Sequence, residues 1–454
     1  PLSAPLQNAS PTLDRLQALA QQHRSLTHVG LAHTADTTLP QTCATLRQWT
    51  ERVHDANASL RTYYVTPFVA SADACVDAVD EVLLDLRGLS SPVARWERWR
   101  SRTDSVGIGA LGTWVQPTAA SGLRVPHSPE QQARYLERLL PRLRDSTQTP
   151  PSTLFVSRWQ DRASAPLPSR RYGLHDARGT ARPAARVVRG LFTGTQRVFA
   201  FPAGAAPSDK SYGLLVLGWG LIALLGGLYA QNLFVRRTVV RYFTAPGFYR
   251  DALRDGHDLH PGTNGLLLAL VSGALGITST CAARLAAAAP ATEHVLAAVP
   301  PSIQTLLAAG IEHPSLAGAA VGLTIAGLLL GWMVALVMAA RWWTRVSFVQ
   351  GLVLVVWPCW PALLVFPLAL AAGADASLSP SLFGLFLLGG GGLTCLYVNG
   401  RVLYDYKAVA GLPAWILAPL SLLSPLALAV GTAVVLTQQY DVSLAFLWRL
   451  ATQT

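Results

Sequence analysis

Side chains able to do chemistry are sparse in the first part of this chain and gather in two places. Asp36 and Asp161 each follow a predicted strand, where a carboxyl group could act as an acid, a base or a nucleophile. Trp159, Tyr172 and His175 surround the second acid, and together they could contact a ligand. Every glutamate of this region lies on a predicted helix or at the start of a strand. The sequence therefore offers few strand-end acids from which to build a catalytic pair.

No motif for a metal, a cofactor or a nucleophilic triad accompanies these acids. The chain has no metal-ligand spacing, no glycine-rich phosphate loop and no Ser/His/Asp arrangement. Two Glu-His pairs, Glu293-His294 and Glu312-His313, each offer two metal ligands, but no third ligand accompanies them. We therefore predict neither a metal nor a cofactor.

Residues 1–205 alternate predicted strands and helices, as parallel α/β proteins do. The predicted strands are 28–33, 60–65, 81–86, 106–114 and 154–158, and the predicted helices are 11–23, 42–57, 72–80, 92–102, 128–137 and 182–191. A closed barrel of this type has eight strands and about 250 residues. Five strands leave an open edge at 28–33, which we expect upstream chain, a partner protein or another copy to cover.

Four consecutive segments carry a family resemblance. They are the glycine-rich strand Val106-Gly-Ile-Gly-Ala-Leu-Gly-Thr-Trp114, a helix beginning near Ser128, the strand at 153–161 and the loop 172–179. This order resembles the last strands of the TIM-barrel glycoside hydrolases that cleave β-linked sugars with two glutamates. The resemblance implies a partial (β/α) TIM-barrel-like domain.

The resemblance also implies where the two catalytic glutamates should lie, and neither is present. Ala110 takes the place of the nucleophile, and the acid/base position after 28–33 reads Thr34-Ala35. A retaining glycosidase needs two carboxyl groups about 5 Å apart. Asp36 is the one neighbouring acid, and a turn residue is its favoured interpretation. We expect a degenerate, non-catalytic relative of these enzymes.

A binding surface can outlast the loss of catalysis. Trp159 lies where the family often has a sugar-stacking tryptophan on its last strand. The predicted glycan or partner surface comprises Trp159, Asp161, Tyr172, His175 and Trp114. The alternative, favoured for Trp159 and for the loop at 172–176, is that these residues only pack within the domain.

The second half of the chain is dominated by apolar runs long enough to cross a bilayer. Six predicted spans lie near 212–235, 264–283, 316–340, 347–372, 381–399 and 412–437. The sequence thus predicts an α/β domain followed by an all-α, six-helix transmembrane bundle.

Loop charges predict the orientation of these spans. The basic residues Arg236, Arg237, Arg241, Arg250, Arg254, Arg341, Arg345, Arg401 and Lys407 fall on one side, against Arg284 and Arg449 on the other. The positive-inside rule places the richer side in the cytoplasm. The first domain and the carboxyl terminus would then both lie outside, at a bacterial inner or plasma membrane. The formal net charge of +11 does not indicate nucleic-acid binding, because the excess is spread along the chain.

The membrane part carries a second resemblance. The run Tyr242-Phe-Thr-Ala-Pro-Gly-Phe-Tyr-Arg250 is similar to the approach to the first helix of bacterial Yip-family domains, which have five helices. The eukaryotic Asp-Leu-Tyr-Gly signature of that family does not occur here. The resemblance implies three parts: the barrel-like domain at 1–205, a linker helix at 206–240 and a five-helix domain at 241–454.

Export of the first domain bears on its cysteines. A disulfide between Cys43 and Cys75 is permitted outside the cytoplasm, and two buried free thiols are an equally good interpretation. The chain starts at Pro1 with no export signal, so we expect a removed leader or further upstream sequence.

These patterns lead to two functional hypotheses. In the first, the protein is a non-catalytic membrane subunit whose outer domain serves for docking or assembly with other membrane proteins. In the second, it is an envelope protein that binds or hydrolyses glycans.

Overall fold

The computed structural model describes most of the chain. The described residues are 18, 26–145, 150–162, 167, 169–205, 213–256, 259–342, 344–374, 380–439 and 443–453, with the side chains of 145, 372–374 and 380–388 excepted. The predicted helix at 11–23 lies almost wholly outside them. The chain forms two compact units. Unit 1 comprises 1–209, 290–308 and 440–454, and unit 2 comprises 210–289 and 309–439.

Unit 1 is built on a parallel sheet whose strands follow one another in chain order. Its five strands are β1 (His28–His33), β2 (Arg61–Thr66), β3 (Glu81–Asp85), β4 (Val106–Leu111) and β5 (Leu154–Val156). The five strands predicted from the sequence are thus confirmed. β1 forms one edge of this sheet and pairs with β2 alone among the described strands.

The chain beyond β5 differs from the prediction of a single strand. At Ser157 the backbone leaves the sheet, and the Ser157 hydroxyl donates to the Leu111 carbonyl over 2.8 Å. A separate pair follows, β6 (Arg158–Gln160) and β7 (Gly173–His175), which run parallel to each other. The segment 172–179, predicted as a loop, therefore contains a strand.

Four helices of unit 1 join its strands or close the α/β region. They are α1 (Pro40–Ala56), α2 (Pro92–Arg100), α3 (Pro129–Asp145) and α4 (Pro183–Thr193). Their apolar sides and the sheet share one core, in which Trp96 and Trp99 of α2 pack with Tyr64 of β2. The helix predicted at 72–80 is wrong, because only a 3₁₀ turn at Val76–Ala78 forms there.

Asp73 explains the failure of that helix. Its buried carboxylate accepts hydrogen bonds from the Cys75 backbone N–H at 2.9 Å, the Thr37 hydroxyl at 2.5 Å and the Tyr64 hydroxyl at 2.8 Å. An aspartate that takes nearby backbone donors competes with helix formation. A disulfide between Cys43 and Cys75 closes the same region, and this decides between the two interpretations of the thiols.

Two segments distant in sequence complete unit 1. The short helix α9 (Thr292–Ala297) packs against α17 (Leu444–Gln453), and the Val69 amide donates to the Gln453 carbonyl over 3.0 Å. Between them in the chain, α10 (Pro301–Glu312) starts within unit 1. Nothing in the sequence pattern indicated that residues between two predicted spans join the α/β region.

Unit 2 is helical. Its helices are α5 (Gly213–Gln231), α6 (Leu233–Thr244), α7 (Pro246–Arg254), α8 (Pro261–Ala288), α11 (Pro314–Ala340), α12 (Phe348–Val356), α13 (Trp360–Ala374), α14 (Pro380–Ala410), α15 (Ala414–Ser421) and α16 (Pro425–Gln439). Small residues bring α8 and α11 together, since a Cβ on Gly276 would lie 2.7 Å from the Gly318 carbonyl oxygen.

Four helices among the described residues are long and apolar enough to cross a membrane. They are Gly213–Gln231, Pro261–Ala288, Pro314–Ala340 and Phe348–Ala371, and the pair α15–α16, bent by 52°, would make a fifth. The predicted span at 381–399 lies on α14, whose side chains are described only from 389 onward. Length and composition are therefore those of a membrane protein with four or five spans in the described part, against the six predicted.

Candidate functional site

The carboxyl ends of the strands form the edge at which barrel-like α/β proteins place their chemistry. Ala110, near the end of β4, is buried and pairs in register with Asp85 of β3. After β1 come Thr34 and Ala35. Asp36 accepts a hydrogen bond from the Thr38 hydroxyl over 2.6 Å and forms an ion pair with Arg449. The positions named by the family resemblance thus hold no carboxylate pair.

Asp85 is the acid that the sequence analysis missed. It ends β3 and is 4% exposed. The guanidinium of Arg87 takes both of its oxygens, with Nε 2.9 Å from Oδ1 and Nη2 2.5 Å from Oδ2. This two-pronged geometry gives the stronger class of ion pair. The signal in the sequence was an aspartate within an apolar strand, followed two residues later by an arginine.

The second carboxylate, Glu293, belongs to the segment between two predicted spans. Glu293, on α9, lies between two arginines, with Oε2 3.8 Å from Arg87 Nη1 and Oε1 3.7 Å from Arg170 Nη1. The adjacent His294 has its Nε2 3.8 Å from Asp85 Oδ2. Tyr172 is buried beside Arg87, whose guanidinium carbon lies 5.5 Å from the ring centre.

We call these six residues the strand-end cluster. Its members are Asp85, Arg87, Arg170, Tyr172, Glu293 and His294, all of unit 1. Its two acids and two arginines balance in formal charge. Buried charges cost several kcal/mol each unless they are paired, so an alternating set of this kind is the arrangement that burial requires.

Burial and neighbouring charges set the protonation of the cluster. Burial raises the pKa of Glu293, and the opposing charges of Arg87 and Arg170 do not cancel this effect. Burial lowers the pKa of His294 to about 4, although the Asp85 carboxylate acts in the other direction. For Asp85, burial favours a higher pKa, but the Arg87 guanidinium outweighs it and holds the pKa well below its usual range. At neutral pH, Asp85 is therefore ionised and His294 is neutral.

Contacts within the strand-end cluster limit the chemistry that its carboxyl groups can perform. An ionised carboxylate beside one of raised pKa is the pattern by which glycosidases divide the roles of nucleophile and acid. Here Arg87 occupies both oxygens of Asp85 and also faces Glu293. Asp85 is thus a buried carboxylate whose two oxygens both accept hydrogen bonds from Arg87.

Two of the predicted surface residues do form an exposed surface. Trp159 of β6 is 71% exposed, and its ring lies 4.4 Å from that of His175 at an interplanar angle of 38°. His175 is held by a contact of 3.2 Å between its Nδ1 and the Trp159 carbonyl. An exposed tryptophan backed by a second ring offers an apolar face to solvent.

Of the other three predicted surface residues, Asp161 and Tyr172 are buried in unit 1 and Trp114 is half-buried. Asp161 is buried, where it accepts from the Gly173 amide at 2.8 Å and pairs with Arg182 at 2.6 Å. Tyr172 belongs to the strand-end cluster. Trp114 stacks on His127, with 3.4 Å between ring centres. These contacts hold β6, β7 and their loops together.

No group of three His, Cys, Asp or Glu side chains within the described ranges is arranged to hold a metal ion. The pair Glu293-His294 is engaged in the strand-end cluster, and Glu312-His313 belongs to unit 2.

Comparison with known proteins gives weak structural neighbours alone. No protein-family model and no curated protein matches the chain. Among solved structures, it is similar to a β-D-glucuronidase of Dictyoglomus thermophilum at 13% identity and a TM-score of 0.37, covering 43% of this chain and 36% of that one. A GH2 β-galacturonidase of Eisenbergiella tayi gives 13% identity, a TM-score of 0.38 and coverages of 43% and 38%. A β-glucuronidase of Ruminococcus gnavus gives 14%, 0.37, 41% and 36%. The chain thus spans little more than a third of the length of these structures.

Proposed function

We propose that this protein is a non-catalytic membrane subunit whose α/β unit serves for docking within a larger membrane assembly. One observation carries the proposal. The edge of the sheet where a barrel enzyme would bind its substrate is closed by the chain's own residues 290–297, with Glu293 between Arg87 and Arg170. A site filled and neutralised from within the chain is suited to holding structure rather than to turnover.

The residues at the expected catalytic positions support the same view. Ala110 stands in the place of a nucleophile, and Thr34 and Ala35 stand in the place of the acid/base pair. Asp36, the nearest acid, is engaged by Arg449. None of these can supply the two carboxyl groups that glycoside hydrolysis needs.

The membrane half supplies the anchor. Four to five apolar helices of sufficient length support insertion in a bilayer, and the basic loops favour a cytoplasmic location for 236–254. The disulfide Cys43–Cys75 supports an oxidising location for unit 1, outside the cytoplasm. The arrangement of the helices at 241–454 is proposed to follow the Yip family.

The sheet edge indicates where a partner would bind. β1 leaves one side of its backbone without a neighbouring strand among the described residues. Exposed strand edges are sites of pairing with another chain. We propose that another membrane protein adds to this edge.

A cross-linking experiment tests the docking role. Thr27, directly before β1, is exposed, so a photo-reactive amino acid at Thr27 should capture one defined partner in stoichiometric amount in native membranes. The same label at Ala177, an exposed residue away from that edge, is the matched control. Equal, diffuse labelling from both positions would contradict docking at β1.

A second candidate function, glycan binding, is favoured by the exposed ring of Trp159 against His175. Sugars stack on such faces through their apolar C–H groups. The Trp159→Ala variant should abolish retention on immobilised envelope polysaccharide, whereas Phe192→Ala, which removes another exposed aromatic ring of unit 1, should not. Absence of retention for the wild-type protein would eliminate this candidate.

A further inference from the structure

We propose that unit 2 binds one molecule of a phosphatidylethanolamine-type phospholipid, with an acyl chain in an apolar cavity and the headgroup at the Arg401–Asp405 pair. The inference does not depend on the docking role of unit 1, because every residue that carries it belongs to unit 2.

The polar end of this site is a buried ion pair in which one donor and one acceptor lack a hydrogen-bond partner among the described residues. Arg401 Nε lies 2.9 Å from Asp405 Oδ2, one turn along α14, and Asp405 is 1% exposed. Asp405 Oδ1 and Arg401 Nη2 have no hydrogen-bond partner within the described part of the chain, and neither has the buried Tyr249 hydroxyl. Leaving a buried charged atom without a partner is costly. A ligand that brings both a donor and an acceptor would remove that cost.

The apolar end is a cavity of about 350 Å³ formed by α5, α6, α8, α12 and α13. Its wall includes Leu225, Gly226, Leu228, Val239, Phe243 and Trp360. That volume lies near the lower end of ligand pockets in general, about 300 to 1,000 Å³. An almost wholly apolar lining within a membrane bundle suits a hydrocarbon chain.

Aromatic rings connect the two ends. The Tyr242 ring centre is 5.0 Å from the Arg401 guanidinium carbon on one side and 6.0 Å from the Trp357 ring on the other, and Trp357 lines the cavity. Phe243, the next residue, also lines the cavity and packs on Trp360 with 5.1 Å between ring centres. The buried Tyr242 ring therefore lies between the Arg401 guanidinium and the cavity wall at Trp357.

The position of the cavity along the helices also fits a lipid. Its wall on α5, a helix that ends at Gln231, consists of Leu225, Gly226, Leu228 and Tyr229. At a rise of about 1.5 Å per residue, these positions lie within about 9 Å of the helix end. Arg236 and Arg237 follow directly on α6 and are exposed. A chain in the cavity would thus begin near the polar boundary, where a headgroup belongs.

The chemistry of the pair selects the headgroup. An ethanolamine headgroup has N–H donors that Asp405 Oδ1 can accept, and a phosphate that accepts from Arg401 Nη2. A choline headgroup has no N–H to donate. A glycerol headgroup has hydroxyl donors, but its lipid carries a net negative charge and brings no cation to the Asp405 carboxylate. Among the three headgroups, ethanolamine therefore best supplies both a donor for Asp405 Oδ1 and an acceptor for Arg401 Nη2.

Native mass spectrometry of the delipidated full-length protein tests this proposal. The protein is titrated with phosphatidylethanolamine, phosphatidylcholine and phosphatidylglycerol that have identical acyl chains. We expect one molecule of phosphatidylethanolamine to bind about tenfold more tightly than the other two, as a charge-assisted hydrogen bond implies. Equal affinity of the three lipids would overturn the proposal, whatever the variants do.

Two pairs of variants separate the headgroup from the chain site. Asp405→Asn should abolish the preference among lipids, whereas Asp251→Asn, on the exposed side of α7, should keep it. Gly226→Leu fills the cavity and should weaken the binding of all three lipids. Gly220→Leu, on the same helix but outside the lining, should leave their binding unchanged. An added Cβ at either glycine would have no neighbour within 4 Å, so neither substitution should disturb the packing of the helix. An unchanged preference in Asp405→Asn, or equal effects of the two leucines, would contradict the assignment.

Discussion

Two buried arginine–aspartate pairs, one in each unit, differ in how completely the chain surrounds them. In unit 1, Arg87 takes both oxygens of Asp85, and its remaining nitrogen faces Glu293. In unit 2, Arg401 reaches one oxygen of Asp405, while Oδ1 and Nη2 lack partners among the described residues. Both oxygens of Asp85 accept hydrogen bonds from Arg87, whereas Oδ1 of Asp405 accepts none. In the strand-end cluster, the buried atom without a hydrogen-bond partner among the described residues is Glu293 Oε1. The same residue types thus indicate self-closure in one unit and ligand binding in the other.

The largest change in stability that tests this comparison is expected from the substitution of Arg87. In Arg87→Gln the Asp85 carboxylate stays buried without its counter-charge, and removing one partner of a buried pair costs about 3 to 5 kcal/mol. We expect the free energy of unfolding of unit 1 to fall by that amount, measured by pulse proteolysis of the full chain in detergent. Arg178→Gln, at an exposed arginine of the same unit, should change it by less than about 0.5 kcal/mol. A loss in Arg87→Gln no larger than in this control would mean that the strand-end cluster does not stabilise the sheet edge.

The next effect is a loss of stability at acidic pH, which His294 should cause. Burial lowers the pKa of His294 to about 4 in the folded protein, from the usual histidine value of about 6.5. The unfolded chain therefore binds the proton first, and stability falls as the pH drops from 6.5 towards 4, by at most about 3 kcal/mol. Glu293 acts in the opposite sense, because its raised pKa adds stability as the pH falls.

The two contributions can be separated by substitution. His294→Gln should remove the acid-side loss of stability when unfolding is followed from pH 7 to pH 4.5. His313→Gln, an exposed histidine of the same inter-span region, should leave the loss as it is in the wild-type chain. A pH profile that His294→Gln does not alter would show that burial does not keep this imidazole neutral.

A smaller effect is expected at Glu293, whose ion pairs of 3.7 and 3.8 Å are longer than those of Asp85. Glu293→Gln should reduce stability by about 1 to 2 kcal/mol, since the arginines lose a counter-charge but keep Asp85 and Tyr172 nearby. Hydrogen exchange should quicken at 290–297 and remain unchanged in β2. Glu312→Gln should leave exchange at 290–297 as it was. Slow exchange there in Glu293→Gln would mean that the segment is held by other contacts.

The local sequence pattern predicted most strands and helices of unit 1. It did not predict the strand-end cluster. Strands such as His28–His33 follow from short apolar runs between turn signals, which depend on neighbouring residues alone. The helix at 72–80 was wrong because Asp73 bonds the backbone of Cys75, and hydrogen bonds to Thr37 and Tyr64 bury it there. Such contacts are set by tertiary structure.

The cluster itself could not be read from local pattern for two different reasons. Asp85 was visible as an acid at the end of a strand, but its apolar neighbours made it resemble the strand interior. Glu293 and His294 come from a segment that the sequence placed between spans, roughly two hundred residues from Asp85. The periodicity of residues within either segment does not indicate that Asp85 lies near Glu293 and His294.

The most direct test of the central claim is hydrolysis of aryl β-glycosides, including β-glucuronides and β-galacturonides, by the purified full-length protein. Wild-type protein is compared with Glu293→Gln, Asp85→Asn and Ala110→Glu, the last of which restores a carboxylate at the family's nucleophile position. The account predicts no release of the aryl group above buffer by the wild-type chain or by any variant. Turnover by the wild-type protein that disappears in Glu293→Gln would contradict it, because the strand-end cluster would then be a working pair of carboxyl groups.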